Sequence, residues 1–256
     1  NKKRFNLIDS AWITADGKET EVIKAGHAGG SRLTLAADGG VYASTAEPPQ
    51  EVTIEESGPM RATIVVRGLH KPEGGQGKLP YLYGYLVRIR AYAGQPYVRV
   101  SYALTNGHLP AIGSPVCKGA TIQLPVPGTT AGKLLIGGSD ALAGAAPASI
   151  TCLQAWPRAR KDRPADPPQP PDYAEVKVVG AGKGEAPAGP LGWLSVADDN
   201  CAANLAVRYL RENHPIRLAA EPGKGEVWLK LDVWPREDFL DICSRKTYEL
   251  QLTLEP

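Results

Sequence analysis

The sequence predicts an all-β protein built from stacked antiparallel sheets, and three observations predict it. The first is a long amphipathic hairpin, Tyr81–Asn106, reading YLYGYLVRIRAYAGQPYVRVSYALTN. The second is composition: 28 Gly and 23 Pro, one Met and two Phe, with Val, Leu, Ile, Thr and Tyr frequent, a balance that favours strands and turns over helices. The third is spacing. Roughly fifteen short alternating segments are separated by turn signals, and no helix of three turns is forced anywhere.

The hairpin sets the pattern for the rest. Ala93-Gly94-Gln95-Pro96 supplies the bend. A four-residue loop brings Tyr92 opposite Tyr97, Arg90 opposite Arg99 and Arg88 opposite Ser101. One face then carries Tyr85, Val87, Ile89 and Ala91 with Val98, Val100, Tyr102 and Leu104. The other carries Arg88, Arg90 and Tyr92 with Tyr97, Arg99 and Ser101. Side chains alternate across a strand, so this segregation is what a half-buried antiparallel pair needs.

Taken in order, Phe5–Ile8, Ala11–Thr14, Glu21–Lys24, Ser31–Ala36 and Val41–Ala43 read as short strands. Glu47-Pro48-Pro49 closes this section. The expected division is therefore a small β subdomain over residues 1–50 and one large β domain over 51–256. Glu51–Glu56 and Met60–Leu69 follow, the second with Met60, Ala62, Ile64 and Val66 on one face. His70–Pro80 reads as an exposed, mobile loop. After the hairpin, Val116–Val126, Lys133–Ile136 and Ile150–Trp156 read as strands. Pro157–Pro171 has six prolines, cannot join a central strand and reads as an extended surface loop. Tyr173–Val179, Gly192–Ala197, Asn204–Leu210, Ile216–Ala220, Glu226–Val233 and Thr247–Leu254 complete the set, with a short turn at Asp238–Cys243.

Composition also excludes classes of function. A net charge of +2 is too small to imply a nucleic-acid partner. No apolar run reaches the ~18 residues of a transmembrane helix. No secretory leader is visible, and a chain opening on Asn1 is expected of a processed or trimmed product. Cys117, Cys152, Cys201 and Cys243 form no CxxC pair, which argues against zinc. Four cysteines allow three pairings. In an exported protein the nearest pairs, Cys117–Cys152 and Cys201–Cys243, are the candidate disulfides, and buried free thiols are the alternative.

Several stretches together resemble one family. GPMRATIVVRG (Gly58–Gly68), RIRAYAGQPYVRVSYALTN (Arg88–Asn106), GWLSVADDNCAANLAVRYLRENHP (Gly192–Pro215) and LKLDVWP (Leu229–Pro235) stand in the order found in exo-rhamnogalacturonan lyase-like polysaccharide lyases. The resemblance covers about residues 30–256 and implies the non-catalytic N-terminal β portion of such a protein: a barrel-like subdomain, then an antiparallel β-supersandwich akin to the galactose mutarotase-like fold. The family continues into a helical toroid expected to carry much of the active site. This sequence stops at Leu250–Pro256, and no catalytic residue is carried over.

The polar hairpin face is the most informative candidate site. Arginines directly opposite one another repel, so something must compensate. An acidic glycan held by guanidinium forks would do so, with Tyr92 and Tyr97 as stacking faces. The simpler alternative is pairing with Glu51, Glu55 or Glu56 on a neighbouring strand. The candidate ligand-binding set is Arg88, Arg90, Arg99, Tyr92 and Tyr97, with Trp156 and Trp228 as exposed aromatics; Trp193 and Trp234 read as core.

His27, His70, His108 and His214 are scattered and read as surface histidines, with His108 and His214 first as any general base. No metal-ligand spacing appears, and Asp198-Asp199 and Asp238/Asp241 lack a regular calcium loop. No cofactor is expected. The reading is an extracellular or cell-surface carbohydrate-associated module that binds or positions acidic or rhamnose-containing glycan. If it belongs to an enzyme, that enzyme is a polysaccharide lyase whose main catalytic domain lies elsewhere. The alternative is a structural subunit, a homo-oligomer or extracellular filament assembled through sheet edges.

Overall fold

The computed structural model describes residues 3–75, 77–108, 112–127, 133–136, 142–153, 175–181, 192–197, 201–210, 213, 215–223 and 226–256. Two strands, β1 (Ala11–Ala15) and β2 (Lys18–Ile23), form a hairpin of their own. The other sixteen join one sheet: β3 (Gly30–Leu35), β4 (Val41–Ala43), β5 (Glu51–Ser57), β6 (Arg61–Leu69), β7 (Lys71–Pro72), β8 (Gly84–Tyr92), β9 (Tyr97–Thr105), β10 (Cys117–Pro127), β11 (Lys133–Ile136), β12 (Leu142–Leu153), β13 (Glu175–Ala181), β14 (Trp193–Ala197), β15 (Ala202–Val207), β16 (Ile216–Pro222), β17 (Glu226–Trp234) and β18 (Arg245–Glu255). Their spatial order is β5-β6-β8-β9-β18-β15-β14-β11-β12-β16-β17-β10-β3-β4-β7, with β13 beside β12.

This sheet is doubled over to make two layers. Val100, Leu205, Leu250 and Leu252 from β9, β15 and β18 meet Ile122, Leu124, Leu229 and Leu231 from β10 and β17 around a void of only ≈ 20 Å³. Every described strand pair is antiparallel, and the predicted all-β, supersandwich-like architecture is what the chain adopts. Burial follows the sequence alternation. Val227, Leu229, Leu231 and Val233 point inward from β17 while Trp228, Lys230 and Asp232 point outward, the pattern expected of a layer with one buried face.

The first residues differ from expectation. Phe5–Ile8 is not a strand: Leu7 takes φ 71°, which breaks an extended run. The segment instead closes one end of the sandwich. Phe5 stacks on Tyr85 at 5.2 Å, and Leu7 and Ile8 reach the central void. Side chains hold its backbone in place. Ser44 Oγ donates to the Phe5 carbonyl (2.7 Å) and His27 Nε2 to the Ile8 carbonyl (2.6 Å). Within residues 1–50 the separate sheet holds β1 and β2 alone, while β3 and β4 hydrogen-bond into the large one. The stretch after His70 is also more ordered than a plain loop, because β7 pairs with β4 and a 3-10 turn, Glu73–Gly75, follows it.

Topology overturns both candidate disulfides. Cys117 on β10 and Cys152 on β12 are separated by β16 and β17, three strand spacings or about 14 Å, where a disulfide needs Cα atoms within about 7 Å. Cys201 precedes Ala202, which pairs with Glu255 at one end of β18. Cys243 precedes the other end, about 30 Å along the strand. Among the described residues no disulfide forms. Cys117 and Cys201 are buried and Cys243 is exposed. Burial pushes the Cys117 thiol up to about 12, so it acts as a small apolar group.

Candidate functional site

The outward faces of β6, β8, β9, β18 and β15 form one continuous floor, and register fixes its rows. Thr63 stands opposite Arg90, Arg90 opposite Arg99, Arg99 opposite Gln251, and Gln251 opposite Ala206. The next row brings Arg88, Ser101 and Glu249 together, with the Arg208 amide bonded to the Glu249 carbonyl. On the other side, Arg61 faces Tyr92, and the Tyr92 and Tyr97 rings lie 5.8 Å apart. The expected Arg90–Arg99 like-charge pair is thus present.

Neutralisation is uneven across this floor. Arg88 makes a bidentate bond to Glu55, with Nε at 2.9 Å. Arg61 does the same to Glu56 (2.6 and 3.0 Å), and Arg67 pairs with Glu51 at 3.3 Å. Those hydrogen bonds, helped by the Arg90 charge, hold Glu55 and Glu56 below the usual carboxylate range. So the three glutamates do pair with arginines, but with these three. Among the described residues, Arg90, Arg99 and Arg208 form no ion pair. Arg99 lies 5.6 Å and 5.7 Å from the Tyr92 and Tyr97 ring centroids, within cation–π reach. Arg208 lies 4.5 Å over the Tyr209 ring and donates to its hydroxyl at 2.6 Å.

Arg90, Arg99 and Arg208 open onto a single groove of ≈ 660 Å³, floored by Gln251 and the small Ala206, with Glu249 as its lining carboxylate. Two further hollows adjoin it. One of ≈ 640 Å³ shares Arg61 and Tyr92 and continues past Pro59, Met60 and Tyr97. One of ≈ 350 Å³ shares Arg208 and Glu249 and continues to Tyr209, Asn213 and Thr247. Converging guanidiniums recognise planar and tetrahedral oxyanions. Amide, hydroxyl and carboxylate groups beside them accept and donate hydrogen bonds to hydroxyl-rich ligands, and the tyrosine rings offer apolar faces.

The other sequence candidates lie elsewhere. Trp228 is on the outward face of β17, opposite Pro125 and Glu221, so it sits on the far layer from the groove. Trp156, His214 and Asp198-Asp199 fall outside the described residues. Trp234 is core, as expected. Two of the histidines read as surface groups, His70 and His108, are buried, and His27 is half-buried. His108 is buried, stacked 4.5 Å from Tyr81, and donates from Nε2 to the Leu82 carbonyl (2.5 Å). His70 is fully buried. Its Nδ1 donates to the Tyr83 carbonyl (2.8 Å), so its Nε2 accepts from Ser31 Oγ (2.7 Å), which in turn accepts from the Tyr102 hydroxyl. This Ser–His arrangement meets no solvent and is a structural relay. Burial lowers the His70 pKa to about 4, against the backbone hydrogen bond that raises it. Among the described residues no group of three or more His, Cys, Asp or Glu could hold a metal ion.

Arg61, Arg208, Glu249 and Gln251 were not named from the sequence. Alternation in β18, with Leu250 and Leu252 buried, sets Gln251 outward. What the sequence did not show is that β18 lies beside β9, a neighbour roughly 150 residues away along the chain and therefore set by tertiary packing.

Comparison with known proteins agrees with the architecture. Residues 37–113 match the family model of the PcRGLX-like protein central beta sandwich domain, the same lyase-like family that the sequence resembles. This span contains Arg90, Tyr92, Tyr97 and Arg99. No curated protein matches the chain. Among solved structures, a TPR-domain containing protein from Parabacteroides distasonis is similar at TM-score 0.50 and 8% identity, over 95% of this chain and 43% of that one. The Slr1438 protein from Synechocystis gives TM-score 0.47 and 11% identity over 99% and 76%. A galactose mutarotase-like protein from Lactobacillus casei gives 0.44 and 10% over 88% and 80%. At such identities the likeness concerns fold alone.

Proposed function

We propose that this chain is a carbohydrate-binding β-sandwich module of a polysaccharide lyase-like protein, acting outside the cell on acidic glycan. The observation that carries the reading is a set of three arginines, Arg90, Arg99 and Arg208, that have no ion-pair partner among the described residues and surround one ≈ 660 Å³ groove. Arg90 is half-buried while Arg99 and Arg208 are exposed, and like charges set directly opposite one another on a sheet repel. Here the acids match neighbouring arginines instead, so the groove keeps net positive charge for a ligand. A uronate carboxylate on Arg90 and Arg99, with ring faces against Tyr92 and Tyr97, satisfies both features. Among the described residues no histidine lines the groove, and the role we read from it is binding. Calorimetry with pectic and other uronic oligosaccharides tests this. Binding that weakens with salt and is lost in Arg90→Ala/Arg99→Ala is expected; no binding to any acidic glycan would refute it.

A second reading, assembly through a sheet edge, is favoured by one observation. The edge strand β5 and its neighbour β6 expose Val52, Ile54 and Ile64, and the turn between them exposes Met60, with Ile54 and Met60 at 71% and 72%. Apolar edge strands invite pairing with another chain. Mass photometry decides it. Oligomers abolished by Ile54→Lys support assembly, and a monomer at all concentrations removes it.

A further inference from the structure

The three hollows are one track. The middle shares Arg61 and Tyr92 with one neighbour, and Arg208 and Glu249 with the other. Register gives its length. Thr253 pairs with Tyr97 at one end, and Thr247 lines the other, so along the strand direction the track advances six residue steps, about 20 Å or roughly four pyranose rings. Among the described residues the lining reaches the surface at both ends, at Met60 and Gln95 on one side and at Tyr209 on the other.

The chemistry is graded along that length. Guanidiniums without an ion-pair partner among the described residues occupy the centre, and tyrosines stand at both ends. Tyr209 is the telling residue. It is 55% exposed and holds φ 57°, in the left-handed region that non-glycine residues rarely occupy. Such strain persists where the surroundings over-determine it. Here Arg208 pins the ring by stacking and by a hydrogen bond, which fixes it as a wall of the last hollow.

We propose that the groove takes an interior stretch of an extended anionic glycan, about four residues long, rather than a monosaccharide or a chain end. This rests on the glycan-binding reading above and adds to it the mode of binding. The central residue places its charge on Arg90 and Arg99. Flanking residues lie against Tyr92 and Tyr97 on one side and against Tyr209 on the other. A chain that enters and leaves through open ends needs no free terminus.

The test is a length series of uronic oligosaccharides from one to six residues, together with the polymer, titrated calorimetrically into the intact chain. Affinity should rise about tenfold from dimer to tetramer, the scale of one added aromatic contact, and then level off. Blocking the reducing end should change nothing. Tyr209→Ala should lower tetramer affinity severalfold and leave the dimer unchanged, while Arg99→Ala weakens every length. A dimer that binds as tightly as the tetramer would overturn the proposal while leaving the glycan reading intact. So would loss of binding on blocking one end. Equal binding of a single-stranded oligonucleotide of matched charge would overturn it in favour of unspecific polyanion capture. No binding at any length would fail the glycan reading itself.

Discussion

The two outer surfaces of the sandwich handle charge in opposite ways. On β16 and β17 the charges of Arg217, Glu221, Lys230 and Asp232 are paired with opposite signs. Arg217 faces Asp232 in register and bonds it at 2.9 Å. Glu221 bridges Arg217 and Lys230, and Thr121 donates to Asp232 at 2.7 Å. On β8, β9, β15 and β18 the register puts Arg90 against Arg99, and no described acid closes the set. The first surface uses its charges to hold strands together. The second sets like charges opposite one another at a small cost to stability, and the proposed ligand would supply the missing anion. Identical chemistry, arginine on a pleated sheet, thus serves structure or recognition according to what stands opposite.

The largest expected effect tests that division directly. Arg90→Ala/Arg99→Ala removes two charge-assisted contacts worth about 1.5–3 kcal/mol each, so affinity for an acidic oligosaccharide should fall a hundredfold or more in calorimetry. The comparison breaks if Arg217→Ala, on the neutralised surface, weakens binding as much.

Acid titration separates both surfaces from the core between them. His70 is neutral and buried, with its pKa lowered to about 4 by desolvation. An unfolded chain, near 6.5 at this position, binds the extra proton first. Stability therefore falls as pH drops from about 6.5 to 4, by about 1.4 kcal/mol per unit and about 3 kcal/mol in all. His27, also lowered by burial, adds a smaller slope of the same sign. In Glu221, burial raises the pKa, but hydrogen bonds to Lys230 and Arg217 outweigh it and leave a net lowering. Its contribution is present above its unfolded value and is lost only as pH falls further, through its folded one. Urea denaturation between pH 7 and 5 should thus report His70, and His70→Gln should flatten most of that slope. An unchanged slope would place the acid sensitivity elsewhere.

Much of this was legible in the sequence, and the misses share a cause. The hairpin faces and the Arg90–Arg99 opposition followed from alternation and one turn, both local. The groove did not, because it needs β18 beside β9 and β15 beside β18, neighbours that no local pattern encodes. The cysteine pairs failed for the same reason: nearness in sequence said nothing about strands inserted between them. His70 looked like a loop residue because Gly and Pro crowd the stretch after it. Yet its ring turns inward to meet Ser31 and Tyr102, brought there by β3 and β9. The N-terminal segment has the apolar spacing of a strand, and a single positive φ at Leu7 makes it a plug.

The neutralised surface should lose stability when one partner is removed. Asp232→Ala leaves Arg217, half-buried beside it, with Glu221 alone, and also orphans the Thr121 hydroxyl. A loss of about 1–3 kcal/mol is expected, read as a lower urea midpoint, with glycan affinity unchanged. If Asp232→Ala instead weakened glycan binding and spared stability, the roles given to the two surfaces would be reversed.

The smallest effect carries the sharpest sign. Directly opposed like charges on a sheet are destabilising by about 0.2–1 kcal/mol. Replacing Arg99 by Thr, a good strand residue, removes that repulsion but also gives up the Tyr92 and Tyr97 ring contacts. Those contacts are exposed and worth roughly 0.5–1 kcal/mol at most. Arg99→Thr should therefore leave the melting temperature unchanged or slightly raised while it weakens glycan binding. An ordinary structural arginine would behave otherwise, since its removal lowers stability and touches no ligand. A clear drop in melting temperature for Arg99→Thr, at full glycan affinity, would mean that the arginine–tyrosine face is held together for its own sake.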